Sequence, residues 1–368
     1  MGLRPPFLAA TLVVLYGCGA RTGLLHGDAP ATTAVCSPVL PTELWHDTTS
    51  NPFNGTSAVA IDKKGVVHIA FGTWDDLQLA TNAEGSWRFS TIDDSTSADL
   101  ALVADGEGKL HCAWHGWRNN KVVVRYAARG DDGHWAKESV EIAHDKVLGT
   151  ALAVDADGRA HVAFADYKKG DLRHAERHDG VWSVETVPGA GQSNVALAAS
   201  AGGVVHATFY GSYPGDMGMV HGLLHATNET ARGWNVESVA SDAVLANSSL
   251  VLDDAGAAHV TFEANQEPRQ WYATNAAGSW RVELIDDKAG GTNAMARASD
   301  GSLHLTYVSG HRLWYATNRS GSWIKTDLDP QRDVGWWSSS VAVAPNGGIH
   351  ISYRDDDRGD LVYAVLCP

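Results

Sequence analysis

A pattern with glycine three residues before a histidine, and an aromatic residue three after it, occurs seven times along this chain. The histidines are His68, His111, His161, His206, His259, His304 and His350. Their glycines are Gly65, Gly108, Gly158, Gly203, Gly256, Gly301 and Gly347, and their aromatics Phe71, Trp114, Phe164, Phe209, Phe262, Tyr307 and Tyr353. Successive histidines stand 43 to 53 residues apart. A repeat of that length, built from short apolar runs and turn residues, marks the blades of a propeller. The sequence therefore predicts an all-β, seven-bladed β-propeller with four-stranded blades. Seven such units use nearly the whole chain, so one ring is expected rather than two domains.

The first repeat gives the plan of a blade. Ser57 to Asp62 is apolar at nearly every position, as an innermost strand covered on both faces must be. Asp62 to Gly65 turns the chain, Val66 to Phe71 forms a second strand, and Leu77 to Thr81 a third. An Asn-x-x-Gly turn then leads to a tryptophan that opens the outermost strand: Trp87, Trp135, Trp182, Trp234, Trp280 and Trp323. There are six of these for seven blades, and the chain stops four residues after Ala364. The segment from Cys36 to about Asp47 is expected to supply the missing strand and close the ring, removing two free sheet edges. Cys36 and Cys367 then face each other as candidates for a disulfide. Cys112 follows a motif histidine where other blades carry Ile69, Val162 or Ala207, and reads as a buried small hydrophobe.

The repeated histidines could suggest metal or catalysis. One copy per blade spreads them around a ring, too far apart to meet one ligand, and hydrogen bonding to a neighbouring loop or backbone carbonyl is the expected role. The aromatics read as packing between blades, each contributing about 1.5–3 kcal/mol when buried.

The N-terminus reads as an export signal: Arg4 is followed by an apolar core, Phe7 to Tyr16, too short to span a bilayer. It ends in Leu15-Tyr16-Gly17-Cys18, which resembles the lipobox of bacterial lipoproteins. The resemblance implies cleavage before Cys18 and attachment of a diacylglycerol to its sulfur. Residues 1–17 are then a lipoprotein signal peptide, 18–34 a flexible tether and 35–368 the propeller. The implied location is the bacterial cell envelope, at the periplasm or cell surface, with membrane contact only through the lipid; without lipidation the protein would be secreted.

The order Asp-x-x-Gly-x-x-His, Leu-x-Tyr-Ala, Gly-Ser-Trp resembles the repeats of bacterial neuraminidase-type (Asp-box) propellers from about Ser57 onward. The Asp-box is shortened here to Asn82-Ala-Glu-Gly85-Ser86-Trp87, Asn275-Ala-Ala-Gly278-Ser279-Trp280 and Asn318-Arg-Ser-Gly321-Ser322-Trp323. A sialidase of that type implies three arginines on a substrate carboxylate, a Tyr–Glu nucleophile pair and an acid Asp. No residues of this chain match those positions one by one.

Function in propellers is usually grafted on the loops joining strand two to three and strand four to the next blade. The candidate ligand-binding rim there comprises Trp74, Asp75, His115, Trp117, Arg118, Tyr167, Tyr210, Tyr213, Asp216, Arg269, Arg312, Arg332, Trp336, Arg354 and Asp355. Aromatics beside carboxylates and arginines suit sugars, whose apolar faces stack on rings. Trp336 and Trp337 are expected to divide, one inward and one outward. Asp355 to Asp357 could gather oxygens for calcium, but no EF-hand-like spacing surrounds them, and a solvated turn is expected. Arg297 stands where other blades carry Ile61, Ala104 or Val154, and should pair with an acid or reach from the channel mouth.

Acidic residues outnumber basic ones 43 to 28, without the basic footprint that phosphate binding needs, so nucleic acid is not an expected partner. No zinc spacing, P-loop or Gly-x-Ser-x-Gly elbow occurs, and no metal or cofactor is expected. The leading expectation is a monomeric, envelope-anchored binding or scaffold module for a glycan or protein ligand. The alternative is a glycoside hydrolase or polysaccharide lyase, for which Asp355, Asp216 and Asp75, with Tyr210 or His115, are the candidate groups. Asn54, Asn228, Asn247 and Asn318 lie in Asn-x-Ser/Thr sequons.

Overall fold

The computed structural model describes residues 14–15, 24–25, 39–45, 53–83, 85–95, 97–118, 121–142, 146–215, 218–230, 233–241, 247–264, 269–289, 291–335 and 339–367. Seven four-stranded antiparallel sheets are arranged as blades; six run outward in chain order from their first strand, and the seventh takes its fourth strand from the N-terminal side of the chain. The first strands are Phe53–Ile61, Ser97–Ala104, Val147–Val154, Ala190–Ala199, Ser248–Leu252, Asn293–Arg297 and Ser340–Val343. Each packs against the first strands before and after it, and the last meets the first, closing the circle. Val14–Leu15 and Leu24–Leu25 form a separate short antiparallel pair. Among the described residues no helix is long and apolar enough to cross a membrane.

The N-terminal closure is present. Val39–Trp45 pairs antiparallel with Asp360–Leu366, the third strand of the seventh blade, with Val39 opposite Val365 and Trp45 opposite Leu361. Cys367 is disulfide-bonded; Cys36, the partner expected from the sequence, lies outside the described residues. Cys112 is a free, buried thiol whose ionisation burial pushes far up. Cys18 and most of the expected signal segment also lie outside the described residues.

The turn between first and second strands explains the repeat. All seven motif glycines have φ between +78° and +86°, a backbone region closed to most side chains. In blades one, two, three and five an aspartate caps the turn. Asp105 Oδ1 accepts the backbone N–H groups of Glu107 and Lys109, and Asp62, Asp155 and Asp253 do the same. The second oxygen of Asp105 lies 2.9 Å from Nε2 of His111. The other ring nitrogen of His111 takes the Tyr126 hydroxyl at 2.5 Å. Tyr272, Tyr315 and Tyr363 meet His259, His304 and His350 likewise, and His174 and His225 meet His161 and His206. The motif histidine is structural, as expected. In blades one, two, three, five and six it meets a side chain of the turn, and in every blade it also meets a third-strand side chain, which was not anticipated. The reason is strand alternation, which places the residue before each third-strand alanine on the same face as the histidine.

That third-strand ring then carries the next blade. Trp182 packs edge-on against Tyr126 at 5.2 Å and donates Nε1–H to Glu138 of the preceding blade at 2.8 Å. Trp234 and Trp323 repeat this with His174 and Glu185, and with Tyr272 and Glu283. Closer to the axis, hydroxyls bridge adjacent blades: Ser57 to Ser352 at 2.9 Å, Thr208 to Ser248 at 3.0 Å and Ser339 to Thr306 at 2.9 Å. These joints combine an apolar face with a satisfied polar contact.

Candidate functional site

Antiparallel succession puts every loop between second and third strands on one face, together with every loop that enters the next blade. The second strands extend past the motif aromatic where the sequence suggested they stop. They span Val67–Thr73, Leu110–Arg118, Ala160–Asp166, Val205–Gly215, Ala258–Ala264, Leu303–Ser309 and Ile349–Asp355. Continued pairing with the third strand satisfies backbone groups a loop would leave open; His115, for instance, lies opposite Val124. The consequence is that several expected loop residues lie in strands.

Four residues after the motif histidine, on the same strand face, stand Gly72, His115, Ala165, Tyr210, Glu263, Val308 and Arg354. His115 is buried, its Nδ1 2.9 Å from the Thr150 hydroxyl of the next blade. Burial lowers its proton affinity and Lys146 adds to that, while Asp99 opposes both. Glu263 is also buried, and loss of solvent raises its carboxyl against hydrogen bonds from the Gly291 N–H and Asn247. Arg354 lies 3.3 Å from Asp356. Glu263 was not anticipated from the sequence; its offset from His259 would have indicated it.

Six residues after the histidine, Trp74, Trp117 and Tyr167 occupy blades one, two and three. They are 61%, 61% and 59% exposed, and among the described residues no other aromatic side chain is more than half exposed. Asp75 is exposed beside Trp74. The Lys146 ammonium lies 5.9 Å from the Tyr167 ring centroid. Asp99, exposed between blades two and three, has φ +43°, an unusual backbone setting for a residue with a side chain, and accepts the Gly149 N–H at 3.1 Å.

Arg297, Arg312, Arg332 and Arg354 are engaged by acids. Arg332 reaches Asp329 at 2.7 Å, Asp355 at 3.1 Å and Glu43 at 3.8 Å, tying the loop entering blade seven to the closing strand. Asp329 also accepts the Tyr353 hydroxyl at 2.6 Å. Asp355 is buried; desolvation raises its carboxyl and Asp360 adds to that, against Arg332 and the Arg358 N–H. Arg312 pairs with Asp327 at 2.9 Å. Arg269 begins the third strand of blade five and is half-buried, and Tyr210 is half-buried in blade four. Arg297 pairs with Asp254 through both terminal nitrogens, at 2.8 and 3.1 Å. The side chains of Arg118 and Tyr213, and Asp216, Trp336 and Trp337 altogether, lie outside the described residues. Among the described residues no group of His, Cys, Asp and Glu is arranged to hold a metal ion. Two sequon asparagines have structural duties: Asn228 and Asn318 accept the backbone N–H groups of Val205 and Leu303.

No family model matches the chain, and no curated protein matches it. Among solved structures, polysaccharide lyase Uly1 is similar over 88% of this chain and 91% of its own, with TM-score 0.52 and 11% identity. The Hadza microbial sialidase Hz136 aligns over 84% of this chain and 64% of its own, with TM-score 0.49 and 11% identity. A fungal fucose-recognising lectin with a six-bladed propeller aligns over 70% of this chain and 88% of its own, with TM-score 0.47 and 14% identity. At these identities the likeness extends to the fold alone.

Proposed function

We propose that this propeller is a carbohydrate-recognition module, with its ligand on the face carrying the loops between second and third strands. The observation that carries the proposal is the concentration of the exposed aromatic rings there. Rings that could pack between blades instead face solvent, and exposed apolar groups rimmed by polar ones mark ligand sites. The likeness to polysaccharide lyase Uly1 supports carbohydrate as the ligand class. The engaged arginines argue against a three-arginine carboxylate clamp of the sialidase kind. A glycan array probed with the purified protein tests the reading: binding to at least one carbohydrate class is expected, and silence across neutral and acidic glycans would overturn it.

The second reading is a glycoside hydrolase or polysaccharide lyase. Two buried carboxyls with raised proton affinity, Glu263 and Asp355, favour it, because a general acid at neutral pH needs that environment. Mass spectrometry of oligosaccharides incubated with the protein decides between the two.

Residues 1–17 are further proposed to direct export, with Cys18 lipidated and 18–34 acting as a tether, so that the propeller sits at a bacterial envelope. Fatty-acid labelling that persists in Cys18→Ala would refute the anchor. A Cys36–Cys367 disulfide and a kinship with Asp-box propellers belong to the same proposal.

A further inference from the structure

Resting on the carbohydrate reading, we infer that Trp74, Trp117 and Tyr167 form one binding track across blades one to three, for an extended, uncharged oligosaccharide. Two observations converge. The residues share one offset from the motif histidine, where the other four blades carry Ser212, Asn265, Gly310 and Asp356. A common offset in a repeat means a common height on the ring, so the three rings stand along one arc. They are also the aromatic side chains most open to solvent among the described residues.

The arc fixes the form of the ligand. Packed sheets lie about 10 Å apart, and blades diverge outward, so neighbouring rings are separated by roughly that distance or more. One sugar unit cannot cover two rings at that spacing; a linear chain crossing the blades can. A pyranose stacks its apolar face on each ring and leaves its hydroxyls to the polar groups between them.

Those groups gather where blades two and three meet. Asp99, held in a left-handed conformation by its contact with Gly149, lies exposed there. His115 closes the floor through Thr150, and Lys146 lies over the Tyr167 ring. The strained backbone at Asp99 persists because the bond to the next blade holds it, and such strain collects at functional sites. The exposed charges around the track are mixed: Asp75 and Asp99 against Lys146, Lys168 and Lys169. No single sign dominates, which suits an uncharged chain better than a polyuronate or other polyanion.

The test is calorimetric titration of the full-length protein with cello-, xylo-, manno- and chito-oligosaccharides of two to six units. One series is expected to bind with affinity rising at least tenfold between the dimer and the longest member. Trp117→Ala should weaken that binding about tenfold, and Trp74→Ala and Tyr167→Ala several-fold each. The triple variant should lose it while keeping the parental melting temperature, since the rings are solvent-facing. If the wild type binds array glycans and the triple variant binds them equally, the track is wrong while the carbohydrate reading stands. Binding confined to polyuronates, with steep salt dependence, overturns the uncharged ligand. No glycan binding at all removes both.

Discussion

Lowering the pH from 8 to 5 should remove about 6 kcal/mol of unfolding free energy, through three imidazoles that the ring holds neutral. Burial lowers the pKa of His206 to about 3, and of His304 and His350 to about 4. In the unfolded chain each returns to about 6.5. Below that value the unfolded chain binds protons the folded one refuses, so stability falls as pH falls. The loss begins near pH 7 and continues toward pH 4. At pH 5 each histidine has taken up about 1.5 pH units of this difference, or about 2 kcal/mol at 1.36 kcal/mol per unit. Burial explains the refusal: His304 is enclosed, with Nδ1 2.6 Å from the Tyr315 hydroxyl, and an imidazolium there would lose its solvation. Glu263 and Asp355, whose carboxyls are raised, act in the opposite sense and reduce the fall. Urea unfolding followed by tryptophan fluorescence at pH 8, 7, 6 and 5 measures the curve. His304→Gln should be less stable at pH 8, yet its fall from pH 8 to 5 should shrink by about 2 kcal/mol. A curve flat from pH 8 to 5, or a fall untouched by that substitution, would refute the reasoning.

Glu138→Ala should cost about 2 kcal/mol, because it strands the Arg177 guanidinium and the Trp182 N–H that Glu138 accepts at 2.8–2.9 Å; thermal unfolding unchanged within about 0.5 kcal/mol would contradict the joint. Gly222→Ala should cost about 3 kcal/mol or more, since φ is +150° and a Cβ there would overlap the Ala240 carbonyl oxygen; the chemical denaturation midpoint reads it out. Reduction of the proposed Cys36–Cys367 bridge should cost up to about 5 kcal/mol, for a loop of more than 300 residues on the chain-entropy estimate. Non-reducing peptide mass spectrometry must first find the two cysteines linked.

The ring was legible because its signals are local. A glycine that must take positive φ, an aspartate that caps it and a histidine three residues on form one unit, repeated often enough to fix blade number and closure. The joints between blades were not legible. Glu138 and Trp182 are 44 residues apart, and nothing in either neighbourhood announces that they meet. Arg332 was expected on the ligand-binding rim, yet it joins Asp329, Asp355 and Glu43 across segments far apart in sequence. His115 and Asp355 were expected on an open rim, but second strands extended by pairing carried both into buried positions. Trp74, Trp117 and Tyr167 were identifiable as rim residues. That they alone among the described aromatics stay so open required the packing of every other ring.

The most direct test of the rim as the working face is hydrogen–deuterium exchange with and without a glycan that the array shows to bind. Slowed exchange is expected in residues 72–76, 115–121 and 165–170, with no change at the turns on the opposite face, 62–65, 105–108 and 155–158. Protection of those turns, with the rim unaffected, would contradict it.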